Sequence, residues 1–255
     1  MPKVKSNLKL AQCRRSTQSN FQRGNIPLQI VNHVKKEFGL SSNKEKAAGM
    51  KKYMRNKFKF YGLQATERRT IERQVMKNYP KLNASCLWEV MKLAWSQDRR
   101  EMQYFAVECA IRNKNILSKD KTTCLETVEN IKDFLVSEKS WWDTVDSLSG
   151  VVGFLVSKYP ADLIPVMDQW IDDSEMWLRR SAILHQLKYR KETDEDRLFR
   201  YCLQRAHEKE FFIQKAMGWA LRTYFSTNPR SVRAFVKKNE CVLPKLTVKE
   251  ALKHA

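Results

Sequence analysis

The sequence predicts an all-α protein, a stack of paired helices in the manner of an α-solenoid, on three observations. Seven Gly and seven Pro in 255 residues leave little material for sheet turns, and Leu, Lys, Glu, Arg, Met and Ala favour helix. Helix-start signals recur along the chain, and no convincing alternating strand interrupts them. Finally, helical segments repeat: Phe212 lies 35 residues after Trp177, and Trp177-Leu178-Arg179-Arg180-Ser181-Ala182 aligns with Phe212-Ile213-Gln214-Lys215-Ala216-Met217, aromatic on aromatic and base on base. The same shift carries Trp142 onto Trp177. A period of about 35 to 45 residues with two helices per unit is the mark of HEAT-like repeats, whose equivalent positions line one concave surface.

Taken in order, residues 1–25 read as a basic arm, because Lys3, Lys5, Lys9, Arg14, Arg15 and Arg23 stand there without an acid. A solvated tail, an electrostatic DNA arm, a nuclear signal and an organelle transit peptide all fit that composition. Residues 26–255 read as a single helical-repeat domain with helices of about 12 to 18 residues, a common length in globular folds. Expected starts are Asp98 with Glu101, Thr123 with Glu126, Asp172 with Glu175 and Thr247 with Glu250, each a capping residue followed three positions later by Glu. Asn228-Pro229 gives another, with proline where its missing N–H is harmless.

Charge bounds the partner. An excess of 48 Lys plus Arg over 28 Asp plus Glu gives a net charge of +20, which attracts polyanions and makes nucleic acid the leading partner class. Six cysteines without C-x-x-C spacing read as reduced thiols of an intracellular protein. The four histidines have no metal-ligand spacing, so no metal and no cofactor are expected. The run Gly150 to Val156 is far shorter than the roughly 20 residues of a membrane helix, so no membrane partner is expected.

The segment Lys139-Ser140-Trp141-Trp142-Asp143-Thr144-Val145-Asp146 carries the most chemistry. At about 100° per residue, Trp141, Val145, Leu148, Val152 and Leu155 form an apolar stripe, and Trp142, Asp146, Ser149 and Gly153 form a second, more polar one. A carboxylate beside tryptophan in so basic a chain suits a surface that holds an anion around one negative group. Further on, Arg180 falls among Met176, Ile183, Leu184 and Leu187, where an unpaired charge is costly; it is either paired with Asp143 or Asp146 or faces a ligand. Phe211, Lys215, Gly218, Trp219 and Arg222 share another arc, the basic and aromatic mixture that phosphate and sugar contacts require. Trp219 is either core or part of that site.

These segments, together with Lys52-Tyr53-Met54-Arg55-Asn56-Lys57-Phe58 through Gly62 to Glu67-Arg68-Arg69, closely resemble the AlkD-like DNA alkylation repair family. The resemblance runs from about residue 45 to 255. The central motif shows no departure from the family. Thr66, however, stands where the family usually has proline, so the helix start there is expected to rely on a threonine cap.

The resemblance implies a monofunctional DNA glycosylase without lyase activity. It would hydrolyse the N-glycosidic bond of 3-methyladenine and 7-methylguanine in double-stranded DNA, and leave the lesion stacked rather than flipped. A cationic base is already a good leaving group, so the carboxylate of Asp146 would serve the developing sugar cation, with Trp142 and Trp219 packed on the deoxyribose. Arg180 would hold a phosphate and keep Asp146 ionised, while Tyr53, Lys139, Lys188, Lys215 and Arg222 would touch the backbone. The resemblance implies a monomer, in the nucleus if eukaryotic and in the cytoplasm or nucleoid if bacterial. The alternative is a non-catalytic helical-repeat module that binds branched or damaged DNA.

Overall fold

The computed structural model describes residues 26–253, and the basic arm at 1–25 lies outside them. Among the described residues the elements are thirteen α-helices and two short 3-10 turns, with one isolated β-bridge between Lys59 and Arg99. Two compact units meet in the chain at Cys109 and Ala110.

In the first unit, α1 (Ile26–Leu40) turns Ile30, Val31, Val34 and Phe38 inward, an i, i+4, i+8 spacing that places them on one face. That face packs on α3 (Ala65–Met76) and α4 (Ala84–Trp95). Between them α2 (Lys44–Tyr53) is capped by Asn43, whose side chain accepts from the Lys46 N–H at 2.9 Å. The following turn uses left-handed backbone at Arg55 (φ 53°), Asn56 (φ 60°) and Gly62 (φ 94°). A Cβ at Gly62 would come 2.1 Å from the Asn43 carbonyl oxygen, so that site takes glycine alone. The helix α5 (Arg100–Arg112) begins two residues after Asp98. Glu101 does not close a capping box there. It is fully buried and accepts the backbone N–H groups of Tyr61, Gly62 and Leu63 at 3.0, 2.8 and 3.2 Å, clamping the turn to α5. Nor does Thr66 cap α3: the cap position is Gln64, without a side-chain bond, and Thr66 sits inside the first turn with its carbonyl accepting from Thr70.

The second unit alternates two layers. A 3-10 turn (Ile116–Ser118) leads to α6 (Lys121–Leu135), followed by α7 (Trp142–Lys158), α8 (Pro160–Trp170), α9 (Met176–Leu184), a 3-10 turn (Arg190–Glu192) and α10 (Glu195–Gln204). Then come α11 (Phe211–Phe225), α12 (Pro229–Lys238) and α13 (Lys245–Ala251). Helices α7, α9, α11 and α13 pack one on the next, while α8, α10 and α12 each back on to that layer, the helix-pair arrangement of HEAT-like repeats. Glycines permit the closest approaches. A Cβ at Gly153 of α7 would lie 2.0 Å from the His185 carbonyl oxygen after α9, and one at Gly218 of α11 would lie 2.4 Å from Glu250 Cβ of α13.

The repeat is visible in the packing, with one change of register. Trp177 and Phe212 rings touch at 5.1 Å between centroids, but the third member of the series is Trp141, 5.1 Å from Phe212 and 5.7 Å from Trp177. The alignment at 35 residues assigns that place to Trp142. Trp141 occupies the cap position of α7, where extended backbone swings its ring away from the helix stripe and into the aromatic cluster.

Of the expected helix starts, Asn228-Pro229 stands as read: the Asn228 side chain accepts from the Ser231 N–H. The others shift. Asp120 caps α6, accepting from the Thr123 N–H at 2.8 Å; Glu175 itself caps α9; and Thr247 is buried within α13, its hydroxyl donating to the Gln214 carbonyl at 3.0 Å. Cys86, Cys109, Cys124, Cys202 and Cys241 form no disulfide with one another, and Cys13 lies outside the described residues. Among the described residues, no helix is long and apolar enough to cross a membrane, and no cluster of His, Cys, Asp and Glu suits a metal ion.

Candidate active site

The site forms where α7, α9 and α11 lie side by side. Asp146 stands one turn after Trp142 on α7, so both project from one helix face. From α9, Arg180 meets the carboxylate with both oxygens engaged: Nε donates to Oδ1 at 2.8 Å and Nη2 to Oδ2 at 3.0 Å. The remaining Arg180 nitrogen donates to the Phe212 carbonyl at the start of α11. Three helices are thereby tied through one guanidinium. The Arg180 side chain is 6% exposed and that of Asp146 18%, so the pair is nearly buried but the carboxylate keeps an open edge. Burial pushes the Asp146 carboxyl above its ordinary range, and the Arg180 hydrogen bonds and charge pull the other way.

That open edge faces a cleft of about 450 Å³. Asp146, Ser147, Gly150 and Val151 of α7 form one wall, Trp219 and Thr223 of α11 another, and Lys114, Ile111, Leu187 and Lys188 complete it. Two lysines share the cleft with the carboxylate: Lys188 Nζ would be 3.5 Å from a Cβ at Gly150, and Lys114 Nζ lies 4.1 Å over the Phe154 ring. No sequence motif marks Lys114; only the packing of the segment before α6 brings it here.

Asp146, Trp219 and Lys188 thus share one cleft. Trp142 is half-buried on the same face of α7 but does not line the cleft itself. Arg180 is behind the carboxylate, all three of its nitrogens engaged within the protein. Lys215 and Arg222 converge on Glu250 of α13, at 2.7 Å and 2.6 Å, and hold its carboxyl down to about 2. Both cations remain part-exposed beside it. Glu250, expected as half of a capping box, instead aligns these two. Lys139 is half-buried just before α7. Tyr53, at the end of α2 in the first unit, is 72% exposed.

An acid held by a buried arginine in a cleft with tryptophan and lysines is equipped to receive a phosphate-bearing ligand that develops positive charge. The comparisons with known proteins agree in kind. The family model for DNA alkylation repair enzymes matches residues 34–255, and this chain belongs to that family. A solved structure from Enterococcus faecalis, described as a predicted DNA alkylation repair enzyme, is 32% identical, with a TM-score of 0.73 over 84% of this chain and 96% of that one. The smu.31 protein of Streptococcus mutans UA159 shares the fold at 19% identity and a TM-score of 0.55, over 71% of this chain and 90% of that one. No curated protein matches the sequence.

Proposed function

We propose that this member of the DNA alkylation repair family is a DNA glycosylase, which hydrolyses the N-glycosidic bond of cationic alkylated purines, 3-methyladenine and 7-methylguanine, in duplex DNA. The observation that carries this reading is the Asp146–Arg180 pair, presented on the wall of a cleft with Trp219 and two lysines.

An N-alkylated purine already bears positive charge, so its departure needs no strong acid. The barrier lies in the sugar, which becomes oxocarbenium-like as the bond breaks. A carboxylate fixed beside it stabilises that cation more in the transition state than in the ground state. Asp146 is preorganised for this by two hydrogen bonds; Trp219, on the facing wall of the cleft, packs on the deoxyribose, and Trp142, one turn before Asp146 on α7, reaches it from outside the lining. Arg180 is a positioning residue that holds the carboxylate ionised and oriented, with its nitrogens committed to Asp146 and the Phe212 carbonyl and not to a phosphate. Lys114, Lys188, Lys215, Arg222 and Lys139 contact the DNA backbone, as does Tyr53 of the first unit, with the lesion stacked and not extruded. The protein works as a monomer inside the cell, where its DNA is. A lyase step needs a nucleophilic amine beside the sugar, and Lys114 of the cleft instead lays its Nζ 4.1 Å over the Phe154 ring.

A duplex with one 7-methylguanine tests this directly: alkali should reveal an abasic site after incubation. The strand should stay intact without alkali, uracil should remain in place and chelator should change nothing. Efficient removal of uracil, or activity that a chelator abolishes, refutes the chemistry.

A further inference from the structure

A second cavity, of about 440 Å³, adjoins the Asp146 cleft, and Leu187 and Thr223 belong to the walls of both. It lies between the end of α9, the 3-10 turn at Arg190–Glu192, α10 and the end of α11. Its size falls within the range of small-ligand sites. Its polar wall combines charge with hydroxyls: Arg190 and Lys191 supply positive charge, and Thr193, Thr223, Ser226 and Thr227 supply hydroxyls, beside Gln186 and Tyr224. Among the described residues, no carboxylate pairs with Arg190 or Lys191, whereas Arg197, Arg200 and Arg205 nearby are each tied to an aspartate. Glu195, at the start of α10, is occupied with Asn228 and the Tyr224 hydroxyl.

Backbone geometry adds an independent mark. Arg190 holds φ 55°, left-handed backbone that costs a non-glycine residue roughly 1 kcal/mol or more. The turn thereby brings Arg190 and Lys191 to this cavity, while Lys188, two residues earlier, lines the first. One basic segment serves both. Along α11, Trp219 of the first cavity and Thr223 of the shared wall are about one turn apart, roughly 6 Å along the axis.

We infer that this second cavity binds a phosphate-bearing nucleotide of the substrate strand, next along from the lesion, so that Arg190, Lys191 and the hydroxyl wall fix the register in which the lesion sugar meets Asp146. The inference rests on the glycosylase reading for the identity of the strand, but not for the presence of an anion site.

The test is a truncation ladder. Duplexes carrying a central tetrahydrofuran abasic analogue, which the enzyme cannot cleave, are shortened one nucleotide at a time from either end of the analogue strand. Affinity is read by fluorescence anisotropy for the parent and for Arg190→Gly with Lys191→Gln. Glycine suits the left-handed backbone, so the variant should keep its fold, as its melting temperature will check. The parent should lose about tenfold affinity at the one truncation that empties the cavity. The variant should bind the full duplex about tenfold more weakly, with a salt slope shallower by about 1 to 2, and show no step at that truncation. Arg190→Lys, which keeps the charge, should restore most of the step. The same ladder in parent and variant, with an unchanged salt slope, overturns the inference. If the parent removes no methylated purine, the glycosylase reading fails instead, and the ladder still decides whether this cavity takes a nucleotide.

Discussion

Replacing Asp146 with Asn keeps the shape of the site and removes its charge, and two separate effects follow from the geometry. A carboxylate about 4 Å from a developing sugar cation, at an effective dielectric of about 20, is worth about 4 kcal/mol. At about 1.4 kcal/mol per decade, that is close to 1,000-fold in rate, and the loss of a single electrostatic stabiliser in other enzymes spans about 100- to 1,000-fold. Single-turnover release of 7-methylguanine should therefore fall by about 100- to 1,000-fold. The second effect is on stability. Arg180, 6% exposed, loses half of a charge pair and keeps only a neutral acceptor and the Phe212 carbonyl. Breaking a buried pair costs about 3–5 kcal/mol, and the retained amide oxygen places this case near the lower end. With about 2–4 °C per kcal/mol for a chain of this size, the melting temperature should drop by about 6–12 °C. Adding Arg180→Met removes the orphaned cation, so stability should recover while excision stays depressed. Excision by Asp146→Asn at the parent rate, or excision that returns with stability in the double variant, refutes the assignment of Asp146.

Three further outcomes follow. Burial raises the Asp146 carboxyl, so excision should fall with unit slope as pH drops through a value above 3.8, a limb that a pH–rate profile reads and that Asp146→Asn should lack. Glu250 moves the opposite way: its folded value of about 2 lies below the ordinary 4.5, so its contribution to stability is full above pH 4.5 and vanishes as pH falls through about 2. Glu250→Gln should accordingly lower the melting temperature at pH 7 but not near pH 2, and a pH-independent difference would refute the linkage. Two glycines of α7 should part company in thermal denaturation. Gly153→Ala drives a methyl to 2.0 Å from the His185 carbonyl and should cost about 1–3 kcal/mol, whereas Gly150→Ala meets only the flexible end of Lys188 at 3.5 Å and should gain up to about 1 kcal/mol of helix propensity.

How much of this was legible depended on whether a residue's role is local. Helix content followed from composition, and Asn228-Pro229 from a cap confined to its own turn. The pattern of a capping residue with Glu three positions later failed at Asp98, Thr123, Asp172 and Thr247, for a reason the structure makes plain. Glu101 is spent on three backbone N–H groups of another segment, and Glu250 on two cations of another helix. A carboxylate near a helix start reads the same in sequence whether it serves its own helix or a neighbour. Trp141 and Trp142 posed a similar ambiguity, since adjacent residues at a cap obey the backbone of the turn and not the helix wheel.

The candidate site shows the same division. Trp142, Asp146, Arg180 and Trp219 stood out because charge and aromatic rings on otherwise apolar helix faces need a partner or a ligand. The choice for Arg180 between ion pair and ligand turns out to be a false alternative. Its pairing with Asp146 occupies its own nitrogens and prepares the carboxylate, so the arginine serves a ligand by not being free to bind one directly. Lys114 and the Arg190–Lys191 turn escaped notice because an isolated lysine on a helix end, or a basic pair in a loop, carries no periodic signal. Their significance arises when α7, α9 and α11 pack closely enough, through Gly153 and Arg180, for two cavities to share Leu187 and Thr223. Spacing between helices, which the sequence encodes only through such contacts, is therefore what converts a basic solenoid into a site with a carboxylate at its centre.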